Sequence, residues 1–522
     1  MAQRLTSFTS LWDLIQQRAA DTPDAFFVKD EDGRTLTFAE YRDASERAAA
    51  VLHERGIGEG DVVSWQLPTW IESMVLVGGL ARLGAVQNPI LPIYRDREVG
   101  FVVKEAGAKL LVVPGQWRGF DFGAMARGIA ADVAGLGVLE IHRGDVLEGD
   151  AATLPPVPAP GPAFEVGVRH EGPVRWLFYT SGTTADPKGA KHCDTTVAAS
   201  GYSMVDAFDL NADDRNALVF PFTHIGGAGW LFAGLIAGCV HIIVEGFVPD
   251  TTIPVLERER VTLAGAGTTF HMTYLAAQAA ADHPLFPETR IFCGGGAAKP
   301  PQLHYDVKEH LGGLGILSGY GLTECPIISM ARVDATDEQL ANTEGPLCAG
   351  VDVKVVALDG RVVPRGEEGE LRAKGPNLCL GYTDPALNAD GFDEDGYFRT
   401  GDLGIVRDDN HVVITGRLKD VIIRKGENIS AKEVEDLLFT HPRIGDAAVI
   451  GLPDPASGER ACAVIVVADG AEAPTLAELF EFCKGEGLMV QKIPEQLEIV
   501  DVLPRNPTGK VLKHELRKVY AD

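Results

Sequence analysis

At 522 residues and 55.8 kDa the chain is long enough for roughly two to four domains with sizeable cores. Its composition is that of an ordinary globular protein, 45% apolar and 23% charged, and 74 acidic against 47 basic residues leave a net charge of −27. With no basic stripe, that balance excludes a protein whose main task is to grip a nucleic-acid backbone, while one small anionic ligand stays within reach of local donors.

The cysteines stand singly, at 193, 239, 293, 325, 348, 379, 462 and 483, so neither a zinc centre nor a disulfide scaffold is expected. The opening MAQRLTSFTSLWDLIQQRAA meets Asp13 before any apolar run long enough for a signal peptide, and a cytoplasmic location is the expectation.

In chain order, LWDLIQQRAA has helical apolar spacing, DVVSWQL reads as a strand, and SMVLVGGLARLGAV as a buried helix leading into NPI. After KLLVV, the prolines at 155, 156, 158, 160 and 162 mark a surface connector. Strand-like runs return at VRWLFYT, NALVF, VHIIV, VTLAG and TRIFCGG, separated by helix-length pieces, which argues for parallel sheets covered by helices. Ala217 to Val244 carries no charge and is long enough to span a bilayer. Pro221, His224, His241 and five glycines within it favour a buried strand, loop and helix, so no transmembrane span is expected, with peripheral membrane contact left open. Val351 to Arg372 reads as a more antiparallel piece with hairpin turns at Asp359-Gly360 and Arg365-Gly366. The last hundred residues form a small α/β unit: DVIIRK, DAAVIGL and CAVIVVA as strands, and capping boxes at Ser430/Glu433 and Thr475/Glu478. Its boundary falls near Gly416 to Asp420, a short charged join suited to a hinge.

The strongest chemical signal is WLFYTSGTTADPKGAKH, residues 176 to 192. An apolar strand runs into Thr180, Ser181, Gly182, Thr183 and Thr184, followed by Lys188 and Gly189. Small hydroxyl residues and glycine let backbone N–H groups approach phosphate oxygens, and Lys188 adds a mobile positive charge. It is not a Walker A loop, because Pro187 and Gly189 flank the lysine. GGLGILSG, residues 312 to 319, likewise fails as a dinucleotide fingerprint, with Ser318 in place of the last glycine.

Four further motifs follow in order: YGLTE at 320 to 324, TGD at 400 to 402, GRLKD at 416 to 420 and PRNPTGK at 504 to 510. Together with the glycine-rich loop they resemble the signature of the adenylate-forming, AMP-binding superfamily of acyl-CoA synthetases, peptide-synthetase adenylation domains and luciferases. The likeness spans almost the whole chain and is greatest to a bacterial fatty-acid or carboxylic-acid:CoA ligase. It implies an α/β fold: a large N-terminal domain of helix-covered sheets with a smaller β-rich subdomain over 1–416, a hinge at 417–420, and a small mobile α+β domain over 421–522.

The same resemblance implies the chemistry. A carboxylic acid reacts with ATP to give an acyl-adenylate and pyrophosphate, and coenzyme A then expels AMP. A carboxylate is ionised at neutral pH, so the first step needs no general base; it needs donors and cations at an expanding phosphoryl centre. By resemblance Thr180, Ser181, Gly182, Thr183, Thr184 and Lys188 hold the β- and γ-phosphates, although Ala185 departs from a usual glycine. Gly294, Gly295, Gly296, Ala297, Tyr320 and Gly321 border adenine, Thr323 meets the α-phosphate, and Glu324 ligates Mg²⁺. Asp402 accepts the ribose hydroxyls, Arg417 contacts ribose and phosphate, Lys419 is the hinge residue, and Lys510 bridges the carboxylate and the phosphate. His224, Trp230, Thr269 and Cys325 are nominated for the acyl pocket. After rotation the segment Val421 to Asn428 faces the site, and its RKGENIS favours coenzyme A as acceptor. A carrier-protein loading enzyme, a luciferase-like oxidative enzyme and an inactive scaffold are the alternatives.

Overall fold

The computed structural model describes residues 3–180, 187–297, 299–424, 427–455, 457–506 and 509–521. Its large part is built on two mainly parallel sheets. The order in the first is Ser329–Met330, Ile316–Tyr320, Ile291–Gly295, Leu263–Ala264, Arg215–Leu218, Val240–Ile243, Phe26–Asp30 and Thr35–Thr37. All but the two edge strands run parallel. The second runs Lys188–His192, Trp176–Thr180, Val86–Pro89, Val62–Trp65, Leu110–Val113 and Gly137–Glu140, with Lys188–His192 antiparallel at its edge.

These strands read as near-continuous apolar runs because helices cover both faces. The uncharged stretch resolves into Arg215–Leu218, the helix Ile225–Ala237 and Val240–Ile243, all largely buried in the core. Among the described residues no helix is long and apolar enough to cross a membrane. The proline-rich connector has only the short turn Ala151–Thr153 at its start, as rings without N–H groups dictate.

The third sheet is antiparallel, in the order Val362–Val363, Asp352–Val356, Gly369–Lys374, Phe398–Val406, Val412–Arg417. Asp359-Gly360 closes the expected hairpin. Arg365-Gly366 does not: the strands flanking it both pair with Asp352–Val356, one on each side, so this turn is a crossover.

After the turn Leu418–Asp420 the chain enters a smaller, β-rich C-terminal domain. Its sheet joins Glu427–Ser430, Val421–Arg424, Gly458–Val467 and Ile444–Asp454, with Gln496–Ile499 parallel to Gly458–Val467. Two apolar clusters of its own, around Val434, Ala463 and Leu479 and around Ile450, Val464 and Leu516, sit on opposite faces of the long strands. Thr475 and Glu478 form the reciprocal capping box. Ser430 makes only half of one: its hydroxyl accepts from Glu433 N, but Glu433 pairs with Lys492 at 2.6 Å instead of turning back.

Candidate active site

In a sheet of parallel strands the carboxyl ends open toward one edge, where connecting loops gather. Here the loops after Arg215–Leu218, Ile291–Gly295 and Ile316–Tyr320 carry His224, Gly296 and the segment from Gly321 to Glu324, and Thr269 opens the helix Thr268–Ala280 that follows Leu263–Ala264. Gly294 pairs with Ser318 and Gly295 with Gly319. Gly295 sits at φ +155, where a Cβ would lie 3.1 Å from the Gly319 carbonyl oxygen, so glycine lets the two strands end side by side. Gly296 is exposed and Ala297 partly so. Thr180 and Lys188 face each other across the adjacent strand pair. Ser181, Gly182, Thr183 and Thr184 lie outside the described residues.

Glu324 is 8% exposed. Its Oε1 accepts a hydrogen bond from the Tyr382 hydroxyl at 2.6 Å, and its carbonyl accepts from Cys379 N at 2.8 Å. Burial pushes the carboxyl pKa up, opposed by the Tyr382 hydroxyl and the nearby Lys188 charge. The Lys188 ammonium stands 5.7 Å from the centre of the Tyr382 ring, a cation–π geometry. Tyr382 thus faces both Lys188 and Glu324. It arrives by pairing: Thr383 N donates to the Gly189 carbonyl, Lys191 N to Gly381 and Leu380 N to Lys191, so residues 380–383 line the edge of Lys188–His192.

Among the described residues no cation pairs with Glu324, and no cluster of three metal-ligating side chains forms. A single hard carboxylate, desolvated and with no cation in direct contact, fits Mg²⁺ completed by water and phosphate oxygens.

The opposite wall is ionic. Asp402 Oδ2 accepts from the Tyr320 hydroxyl at 2.9 Å and Oδ1 pairs with Arg417 Nε at 2.7 Å, the two residues facing each other across antiparallel strands. Each carboxylate oxygen keeps a second lone pair, so two hydroxyls of a ligand can still be accepted. Lys510 enters from the small domain. Its amide donates to Asn506 Oδ1 at 2.9 Å, and Gly509, at φ +83, gives a turn so close to the large domain that a Cβ there would lie 3.1 Å from Thr269 Oγ1. That hydroxyl is buried and has no hydrogen-bond partner among the described residues. Burial, helped by the charges of Arg417 and Lys419 and opposed by Asp402 and Asp420, brings the Lys510 pKa down to about 8. Asp420 in turn is held by Arg517 at 2.8 Å, tying the join to the final helix. Pro507 and Thr508 are outside the described residues.

Residues 15–383 match the profile of the AMP-binding enzyme family, and 433–510 match that of the AMP-binding enzyme C-terminal domain. The chain belongs to the AMP-binding enzyme family. It is 31% identical to a medium-chain fatty-acid–CoA ligase of Escherichia coli, over 99% of this chain and 91% of that one. Against a salicyl-AMP ligase/salicyl-S-ArCP synthetase of Mycobacterium tuberculosis the identity is 32%, covering 96% and 89%. The crystal structure of ATP-bound MatB from Rhodopseudomonas palustris superposes with a TM-score of 0.84 at 29% identity, covering 98% and 99%. The protein is therefore an adenylate-forming ligase, which binds ATP and activates a carboxylic acid through an acyl-adenylate.

The residues nominated for this ligase's acyl pocket separate into two groups. His224 and Thr269 stand at the strand ends: His224 caps the helix Ile225–Ala237, its Nδ1 accepting from Gly226 N at 3.1 Å, and burial lowers its pKa to about 4, so Nε2 carries the hydrogen. Trp230 lies six residues further along, inside that helix, ring-stacked on Phe208 at 6.3 Å and 6% exposed, within the core. Cys325 has no exposed surface and packs behind Glu324 with its Sγ 3.5 Å from Asn377 Oδ1, which makes it a core residue here. Lys419 lies in the turn between the two sheets, its pKa lowered by burial. Sequence reasoning missed Tyr382 and His192, the latter joined to the Thr323 carbonyl. Tyr382 had no signal of its own, while His192 closes the glycine-rich segment.

Proposed function

We propose that this ligase is a magnesium-dependent, AMP-forming acid:CoA ligase of two half-reactions, with the large domain over 1–416, a hinge at Lys419 and the small domain over 421–522. The observation that carries the reading is the Lys510 turn, seated against Thr269 beside Asp402 and Arg417. From there its ammonium stands between an acid held near Thr269 and the α-phosphate of a nucleotide whose ribose rests on Asp402. Lys188, Thr180 and the loop through Thr184 take the β- and γ-phosphates. Tyr320, Gly321 and the Gly294–Ala297 loop border the adenine, and Thr323 donates to the α-phosphate. Glu324 would hold Mg²⁺, which neutralises phosphate charge when bound. The acid oxygen attacks phosphorus, the bond to the bridging oxygen breaks, and pyrophosphate leaves with the electron pair.

Lys510 is largely charged at neutral pH, and phosphate nearby raises its pKa further. Rotation about Lys419 then replaces the Lys510 turn with the segment Val421 to Asn428, of which Lys425 and Gly426 are outside the described residues. The sulfur of coenzyme A forms a C–S bond with the acyl carbon, the C–O bond breaks, and AMP departs. A cytoplasmic site of action and peripheral membrane contact through an apolar acid are part of the same proposal. A carrier protein as acceptor is the second reading, favoured by the likeness to the salicyl-S-ArCP synthetase.

The test is a panel of carboxylic acids supplied with ATP, Mg²⁺ and either coenzyme A or carrier protein. AMP, pyrophosphate and an acyl thioester of coenzyme A are expected; ADP and phosphate would overturn the mechanism, and a thioester on the carrier alone would select the second reading.

A further inference from the structure

His192 ends the strand Lys188–His192 and has no exposed surface. Its Nε2 lies 2.9 Å from the Thr323 carbonyl oxygen and its Nδ1 3.0 Å from Thr196 Oγ1. A carbonyl only accepts, so Nε2 carries the hydrogen and Nδ1 is left as an acceptor beside Thr196 Oγ1, a hydroxyl that also bonds the Cys193 backbone at the start of its helix. Burial drives the ring pKa down to about 4, which keeps it neutral at working pH. Three elements meet at one imidazole: the strand that carries Lys188, the helix Asp194–Ala207 that carries Thr196, and the loop between Tyr320 and Glu324. The next peptide of that loop is fixed from the other side by Cys379 N on the Glu324 carbonyl.

We propose that His192 is a positioning residue for adenylation, which through its hydrogen bond to the Thr323 carbonyl fixes the direction of the Thr323 hydroxyl and of the peptide leading to Glu324. The inference rests on the reading that Thr323 meets the α-phosphate. Imidazole suits the task because a rigid ring with one donor and one acceptor at opposite edges tolerates only one placement of the loop. A loosened loop would still bind ATP through its other contacts but would present its donor off the line of phosphoryl transfer, where small displacements weigh most.

The experiment measures acid-dependent exchange of pyrophosphate into ATP by the full chain. His192→Leu should lower kcat by about 10- to 100-fold and leave the KM for ATP within about twofold, the signature of an interaction used in the transition state. His192→Gln, whose amide N–H can reach the Nε2 position, should recover to within about fivefold of wild type. In a Thr323→Val background, His192→Leu should cost no more than about a further twofold, because the hydroxyl it directs is gone. Thr196→Val keeps the ring and removes the hydroxyl beside Nδ1, together with that hydroxyl's bonds to the Cys193 backbone at the start of the helix, and should lose about 3- to 10-fold in kcat. Equal kcat in wild type, His192→Leu and Thr196→Val would overturn the proposal. So would a loss equal in Gln and Leu variants, or full additivity with Thr323→Val. Absence of exchange in the wild-type chain across the acid panel would instead overturn the reading of the activity itself, a result distinct from wild-type exchange that the variants match.

Discussion

Glu324 and Asp402 are buried carboxylates of one site, yet they are answered in different ways. Asp402 has a guanidinium at 2.7 Å and a phenol at 2.9 Å. Glu324 has a phenol at 2.6 Å, and among the described residues no cation pairs with it. Burying a charge is costly unless it is compensated, so Asp402 has its counter-charge in direct contact while Glu324 is compensated only by the Tyr382 hydroxyl and by the Lys188 charge at a distance. On the function proposed above, the difference separates a residue that shapes the nucleotide pocket from one that recruits an ion to it.

Exchanging each carboxylate for its amide tests that contrast most severely. Glu324→Gln should lower adenylation by about 10²- to 10³-fold and blunt its dependence on Mg²⁺. Asp402→Asn should keep the Mg²⁺ dependence and raise the KM for ATP by about tenfold or more, since the acceptor of the ribose is weakened. Steady-state kinetics across a Mg²⁺ titration read both, and identical Mg²⁺ profiles for the two variants would break the comparison. Tyr382→Phe sharpens it: losing the donor to the buried Glu324 should cost about tenfold in kcat, with the cation–π face toward Lys188 retained. Unchanged kcat and unchanged KM for ATP would show instead that the ring, not the hydroxyl, matters.

A smaller effect comes from the lysine opposite. Lys510 is brought from the ordinary lysine value to about 8, so its neutral form accumulates above that pH and its bridging charge is lost. The kcat/KM of adenylation should therefore fall above about pH 8, while bound phosphate should move the corresponding limb of kcat upward. Lys510→Arg, which stays charged, should remove the limb within the measurable range even where its absolute rate is low. A flat profile for wild type to about pH 10 would show that the lysine does not titrate where its surroundings place it.

The parts legible in the sequence are those written in contiguous residues. The apolar run Trp176–Thr180 is a strand, Tyr320 ends the strand Ile316–Tyr320, and the short charged join holds the turn Leu418–Asp420. The uncharged run reads as a buried strand, loop and helix because its glycines, proline and histidines argue against a span; it is buried, and a second strand, Val240–Ile243, follows the helix. What escaped was made by long-range pairing. Tyr382 reaches Lys188 only because residues 380–383 align on a strand edge almost two hundred positions earlier in the chain, and neither periodicity nor charge marks it. Among the acyl-pocket nominees, Cys325 adjoins Glu324 in sequence, but the two stand in a bend of the loop after Ile316–Tyr320, and the Cys325 thiol goes into the core. The Arg365-Gly366 turn was misread because turn residues specify a reversal but not which strands then pair.

The central claim is that Lys510, seated against the large domain, serves the first half-reaction and then leaves. Lys510→Ala is supplied in one arm with ATP and free acid and in the other with chemically made acyl-adenylate and coenzyme A, each followed by single turnover. The account predicts a loss of about 10²- to 10³-fold in adenylation, the size of a removed transition-state donor, with thioester formation within a few-fold of wild type. A comparable loss in both arms, from protein that remains folded, would contradict it.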